Sequence, residues 1–180
     1  MAYLIACSAA KEQPTQIRPS NLQSLYMSDQ LTEARARLIR LTGISLDWER
    51  TLPAWQLYRR GRLFSQVTPG NWLRGQTDVK ILSTLFGWVR HTDLLPNYTL
   101  RMNDKIQLEP GDYIFVQKYW RDLGILRQGV DPHKDVDLLF DKCRIAIHGN
   151  KGYVALPPNE NFSDNYGTGK GRWLNQQLSL

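Results

Sequence analysis

Six side chains that can move protons, hold phosphates or read a base fall within one short stretch. Arg90, His91, Asp93, Asn97, Tyr98 and Arg101 follow Phe86-Gly87 and are interleaved with Trp88, Leu94, Leu95 and Pro96. When a glycosidic bond breaks, positive charge develops on the sugar. A carboxylate can stabilise that charge or activate water against it. That chemistry makes Asp93 the catalytic candidate, with Arg90 and Arg101 as phosphate contacts. Trp88 and Tyr98 offer stacking faces for an extruded base, and the Asn97 carboxamide offers a donor and an acceptor for its edge. The alternative is an ion pair between Arg90 and Asp93 that only holds the loop in shape.

Three other segments carry related chemistry. Cys7-Ser8-Ala9-Ala10-Lys11 combines small side chains with a cation. Small side chains let backbone N–H groups approach an anion, and Lys11 adds a point charge. Lys11 is the second catalytic candidate, as a phosphate holder or as a nucleophile at the sugar carbon. Ser8 is a nucleic-acid contact, and Cys7 borders the base pocket. Alternatively this is a plain turn with an exposed lysine. Arg59 and Arg60 lie in the densest basic region, beside Tyr58, Arg62 and Phe64. Positive charge also suits a helix C-terminus, which is their structural explanation. The glycine-rich run from Asn159 to Trp173 offers Lys170 and Arg172 to phosphates and Asn161 to a base edge, or is a flexible end. Trp120 is a further stacking candidate.

Several motifs are missing. Gly169-Lys170 is followed by Gly171, not by the Ser or Thr of a phosphate loop that binds magnesium. His91, His133 and His148 are far apart, and Cys7 and Cys143 have no CxxC neighbour. No metal and no cofactor is expected.

These residues need elements to position them. Tyr3–Cys7 reads as a buried strand, followed by a polar loop over 12–24. Ser28 caps a helix running to about Thr42, stopped by Gly43, with Leu31, Ala34, Leu38 and Leu41 facing inward and Arg35, Arg37 and Arg40 off that stripe. A second helix runs from Leu52-Pro53 to Gly61, and 65–78 is loop. A strand over Val79–Leu82 then gives way, after Phe86-Gly87, to a segment that is neither helix nor strand by periodicity. Ile106–Leu108 reads as a strand and Pro110–Gly124 as a helix. His133–Phe140 reads as another helix. Lys142–His148 and Tyr153–Leu156 read as strands joined by a hairpin at 149–152. Together these predict an α/β fold, a single domain with a mixed central sheet flanked by helices.

Length and composition agree with that class. At 180 residues, 42% hydrophobic and 22% charged, the chain fits one soluble globular domain. It has no apolar run of about 18 residues, so no membrane partner is expected. The start has no signal-peptide pattern, and two free thiols in a reducing cytoplasm are expected. The net charge of +6, with 6 Trp and 8 Tyr, tilts the partner towards a polyanion such as DNA.

The central stretch also resembles a known family. Leu85-Phe86-Gly87-Trp88-Val89-Arg90-His91-Thr92-Asp93-Leu94-Leu95-Pro96-Asn97-Tyr98-Thr99-Leu100-Arg101-Met102 resembles the LYGVLRPLDLIQPYRLEM signature of the YaaA family of peroxide-stress proteins. Leu52-Pro53-Ala54 to Leu63-Phe64 looks like that family's PA…F.G.VY segment, and Tyr119-Trp120-Arg121-Asp122 like its FWGD. Cys7-Ser8-Ala9-Ala10-Lys11 with Leu25-Tyr26 is similar to a CSxxK…LY pattern of the wider superfamily, which includes a domain of archaeal tRNA base-modifying enzymes. The resemblance implies a mixed α/β fold, a positively charged cleft and binding to duplex DNA. It places Arg90, Asp93, Pro96, Tyr98, Arg101 and Met102 in the cleft region. His91 stands where the family prefers Pro and Arg101 where it has Glu, and the chain is shorter than typical members, as in a divergent branch. Residues and resemblance together predict a DNA glycosylase-like enzyme that acts on a damaged or modified base of duplex DNA, extruded from the helix. The alternative is a non-catalytic duplex-DNA-binding stress protein.

Overall fold

The computed structural model describes residues 1–74, 77–162 and 167–180. In chain order its strands are β1 (Ala2–Ala6), β2 (Leu52–Pro53), β3 (Asp78–Ser83), β4 (Gly87–Arg90), β5 (Leu94–Leu95), β6 (Lys105–Glu109), β7 (Asp112–Phe115) and β8 (Val136–Asp137). Its helices are α1 (Ser28–Thr42), α2 (Ala54–Leu57), α3 (Pro69–Leu73), α4 (Val116–Leu123), α5 (Asp141–His148) and α6 (Thr168–Ser179). Four strands make the central sheet in the order β4-β3-β1-β8. β1 is parallel to β3 and β8, whereas β4 folds back antiparallel on β3. The protein is therefore an α/β fold with a mixed sheet.

Both sheet faces are covered, which explains why β1 is apolar at every position. Tyr3 lies beside Val79, and Ile5 beside Ile81, which in turn pairs with Val89. Tyr3 on this face meets Trp173 of α6 edge-on, with ring centroids 5.6 Å apart. On the opposite face, Trp88 donates its indole N–H to the Leu126 carbonyl at 2.7 Å. Lys80 donates to the Gly129 carbonyl at 2.9 Å and pairs with buried Asp135 at 3.0 Å. Asp135 also accepts from the N–H groups of Ala2 and Asp131, so its charge is fully met.

Several elements depart from the sequence expectation. Beyond Gly87 the chain is partly regular, with strands at Gly87–Arg90 and Leu94–Leu95, whereas 96–104 is neither helix nor strand, as expected. Gly87 takes φ 63, which lets the chain reverse into β4. The second helix shrinks to α2, because Leu52 and Pro53 pair with Leu95 and Leu94. Residues 65–78 contain α3, whose Trp72 stacks near Phe64 and Trp55. Pro110-Gly111 is a hairpin tip between β6 and β7, not a helix start, and the helix begins only at Val116. The expected helix over 133–140 holds β8, and the expected strand over 142–148 is α5. Cys143, Ala146 and Ile147 are the buried side of α5, at helical spacing. Gly149 ends that helix at φ 87, so 149–152 is not a strand hairpin. The glycine-rich run ends in α6, which begins at Thr168 and buries Trp173, Leu174 and Leu178, while 163–166 of the run lie outside the described residues. Gly171 lies so close to the Leu63 carbonyl that a side chain there would overlap it.

The inward stripe of α1 also differs. Arg35 sits on it between Leu31 and Leu38, at 0% exposure. Its guanidinium donates to the carbonyls of Phe86, Tyr26 and Trp88, each at 2.7 Å. Burial lowers its pKa to about 10, against the pull of Asp93, so it stays charged at neutral pH. No helix among the described residues is long and apolar enough to cross a membrane.

Candidate active site at the ends of the parallel strands

In an open α/β sheet, the loops leaving the carboxyl ends of neighbouring parallel strands enclose a crevice. Here β1 and β3 end side by side, and the Cys7 N–H still donates to the Leu82 carbonyl at 3.1 Å. The chain then turns at Ser8, whose hydroxyl accepts from the Ala10 N–H at 3.1 Å. Ser8 rests directly on Gly61, where any side chain would overlap it. The Glu12 N–H donates to the Leu57 carbonyl at 2.8 Å and fixes the far side of the turn. Lys11 is thereby aimed back towards the sheet.

The Lys11 ammonium lies 4.3 Å from the centre of the Tyr98 ring and 5.8 Å from that of Tyr58. Behind it runs a row of hydroxyls. Tyr98 Oη is 2.7 Å from Tyr58 Oη and 2.7 Å from Ser83 Oγ. Thr84 Oγ1 lies 3.4 Å from Tyr98 Oη and donates to the Leu100 carbonyl at 2.8 Å. Burial raises both phenols far above the ordinary tyrosine range, so neither ionises near neutral pH. Burial also raises the Cys7 thiol, opposed by Lys11, Thr84 and Tyr98. Burial lowers the Lys11 amine, opposed by Cys7 and reinforced by Arg101. These directions favour an uncharged thiol and an easily deprotonated amine over a thiolate–ammonium pair.

Beside this cluster opens a cavity of about 280 Å³, lined among others by Cys7, Ser8, Thr84, Arg101, Met102 and Lys142. The structure thus places Cys7, Ser8 and Arg101 of the sequence candidates on the cavity wall, and sets Lys11 and Tyr98 beside Cys7 but off that lining. It adds Tyr58, Ser83 and Thr84, which sequence reasoning missed. The available signal was position, since Ser83 and Thr84 stand where the buried strand ends. Tyr58 was visible only as a neighbour of the arginine cluster.

Other candidates lie elsewhere. Asp93 does not line the cavity. Its Oδ2 accepts from the backbone N–H of Tyr26 at 2.9 Å and of Arg90 at 3.0 Å. Burial raises its pKa, against those two bonds and the charges of Arg35 and Arg90. It ties the end of β4 to the segment entering α1, a structural task. The Arg90 side chain instead faces Asp78 at 3.7 Å and covers the Tyr26 ring at 4.7 Å. Trp88 and Trp120 are fully buried, and the Trp120 indole donates to the Thr84 carbonyl at 2.8 Å. Neither has a face open to a base. Exposing one would forfeit about 2–3 kcal/mol of burial, as much as stacking on a base returns. His91 is buried against Trp72, with Nε2 3.1 Å from its carbonyl.

Asn97 donates to Gln13 at 2.7 Å beside the Lys11 loop. Arg59 pairs with Glu12 at 3.3 Å, and Arg60 is exposed next to it. Arg172 is exposed and reaches Gln66 at 3.3 Å. Asn161 and Lys170 line a separate cavity described below. Among the described residues, no three His, Cys, Asp or Glu side chains gather as metal ligands would.

Compared with known proteins, the chain matches no family model and no curated sequence.

Proposed function

We propose that this protein acts on a nucleobase of DNA, as a glycosylase-like enzyme that uses Lys11 at the end of β1. The observation that carries this is the setting of Lys11. Its amine is desolvated, sits over Tyr98, neighbours Cys7 and has no carboxylate partner among the described residues. A half-buried amine whose pKa is lowered gives up its proton more readily than a free lysine and is the better nucleophile for it. The unprotonated amine attacks C1′ of the deoxyribose, forming a C–N bond as the bond to the base breaks. The base leaves with its bonding pair and takes up the proton that the amine loses. The ring oxygen takes a proton from solvent as the sugar opens to an iminium, and water then adds to C1′, returns that proton and releases Lys11 and an abasic sugar. Arg101 on the cavity wall is placed to meet a phosphate. Asp93 has no part in these steps. A place for the chain as a divergent YaaA-like protein is supported by the 85–102 stretch and by Cys7-Ser8-Ala9-Ala10-Lys11.

The test is covalent trapping. Oligonucleotides with normal, damaged or hypermodified bases, and with a preformed abasic site, are incubated with the protein and borohydride, which reduces an iminium to a stable adduct. An adduct is expected with the wild-type chain and with Asp93→Asn, and none with Lys11→Met. An adduct surviving Lys11→Met would overturn the assignment. Arg60 and Arg101, exposed and with no side-chain partner among the described residues, also fit a non-catalytic DNA-binding protein. Steeply salt-dependent duplex binding with no adduct on any substrate would establish that alternative.

A further inference from the structure

A second cavity, of about 570 Å³, opens on the other side of the Phe140–Lys142 segment. Phe140 and Lys142 line both cavities, so the two spaces adjoin across that segment.

The charges of the second cavity sort into matched and unmatched. Asp137 is buried and held by Arg144 through contacts of 3.1 to 3.3 Å. Asp141 faces Lys151 at 3.6 Å and Arg144 at 3.7 Å. Lys142 is exposed, with no ion pair or hydrogen bond among the described residues. It stands on the divide between the cavities. Lys170 covers the Phe140 ring at 4.4 Å and donates to the Leu139 carbonyl at 2.8 Å. Tyr153 carries the Arg144 guanidinium 4.3 Å from its ring centre and is still 54% exposed. Glu160 and Asn161 add an exposed carboxylate and an exposed carboxamide.

An unpaired cation between two cavities, an open aromatic ring and an amide beside a carboxylate are what a phosphodiester and a second base require. We propose that this cavity is a subsite for the nucleotide next to the reacting one. Lys142 meets the phosphate that joins the two, Tyr153 stacks on the neighbouring base, and Glu160 and Asn161 meet its edge. The inference rests on the reading of the first cavity as a nucleobase site and narrows its substrate. A base lodged in a cavity has left the helical stack. The substrate class is therefore a strand with two consecutive unpaired nucleotides.

Amide NMR titrations with a deoxymononucleotide and the corresponding dinucleotide test this, on the wild-type chain and on Lys142→Gln and Tyr153→Ala. Both side chains are exposed, so both variants are expected to fold. The dinucleotide should bind about tenfold tighter than the mononucleotide. It alone should shift the Lys142 and Tyr153 amides, and both variants should lose the gain. If the first cavity responds but the dinucleotide binds no tighter, or its advantage survives in both variants, the subsite falls and the nucleobase reading stands. If neither nucleotide perturbs either cavity, both fall.

Discussion

At the residue scale, the centre of chemical interest moves from Asp93 to Lys11. Both were legible as candidates, because a lysine after four small residues and a carboxylate among arginines are visible in one dimension. What could not be read was the partner of each. Asp93 is taken up by the N–H groups of Tyr26 and Arg90, and Tyr26 lies 67 positions away. Lys11 gains its setting from Tyr58 and Tyr98, each brought in by a separate segment. The lowered pKa of Lys11 has a consequence for stability. The folded state holds that proton less tightly than the unfolded chain does. The site therefore opposes folding most when the amine is charged, and the opposition fades as pH rises through the lowered value towards the ordinary 10.5. Lys11→Met should raise the unfolding free energy near neutral pH by about 1 kcal/mol. That advantage should shrink as pH approaches the ordinary lysine range. Urea denaturation across pH measures both, and a constant difference would contradict the assigned desolvation.

At the scale of elements, local signals worked where they were strong. Helix α1 runs from Ser28 to Thr42 and stops at Gly43 in the left-handed region, as its pattern predicts. The expected cap, Ser28, is instead the first helical residue, and Met27 stands at the cap position at φ 56 with no side-chain cap bond. Short segments misled. Residues 142–148 alternate polar and apolar as a strand would, yet also place Cys143, Ala146 and Ile147 on one helical side, and length could not arbitrate. Arg35 reads as a surface residue in the sequence because its partners, the carbonyls of Phe86 and Trp88 about the β3–β4 turn and of Tyr26 ahead of α1, are supplied only by the fold. Replacing it tests that turn's dependence on α1. Arg35→Met leaves the carbonyls of Phe86, Trp88 and Tyr26 without their donor and should destabilise the protein by about 3 kcal/mol or more. Arg35→Lys should recover only part of this, because one ammonium cannot reproduce the planar fork. Chemical denaturation of the pair checks both outcomes.

At the scale of the whole molecule, the class of fold was legible, from a buried first strand and alternating elements, but the order of the sheet was not. The last described helix is integral to it. α6 lays Trp173 against Tyr3 and packs Gly171 onto the Leu63 carbonyl. Removing residues 167–180 should uncover Tyr3 and sacrifice the burial of Trp173, Leu174 and Leu178, each about 1.5–3 kcal/mol. That sum is comparable to the entire stability of a domain, so the shortened chain should show no cooperative thermal transition. The sheet order has a further consequence, for synthesis. Of the described strands β1 is the first to be translated, yet its two neighbours are β3 and β8, and Tyr3 meets its second partner only when Val136 has been made. One edge of this fully apolar ribbon can be covered once β3 has been made, but the other stays open until Val136 and Asp137 follow. During that interval its safety rests on the cell's holding machinery.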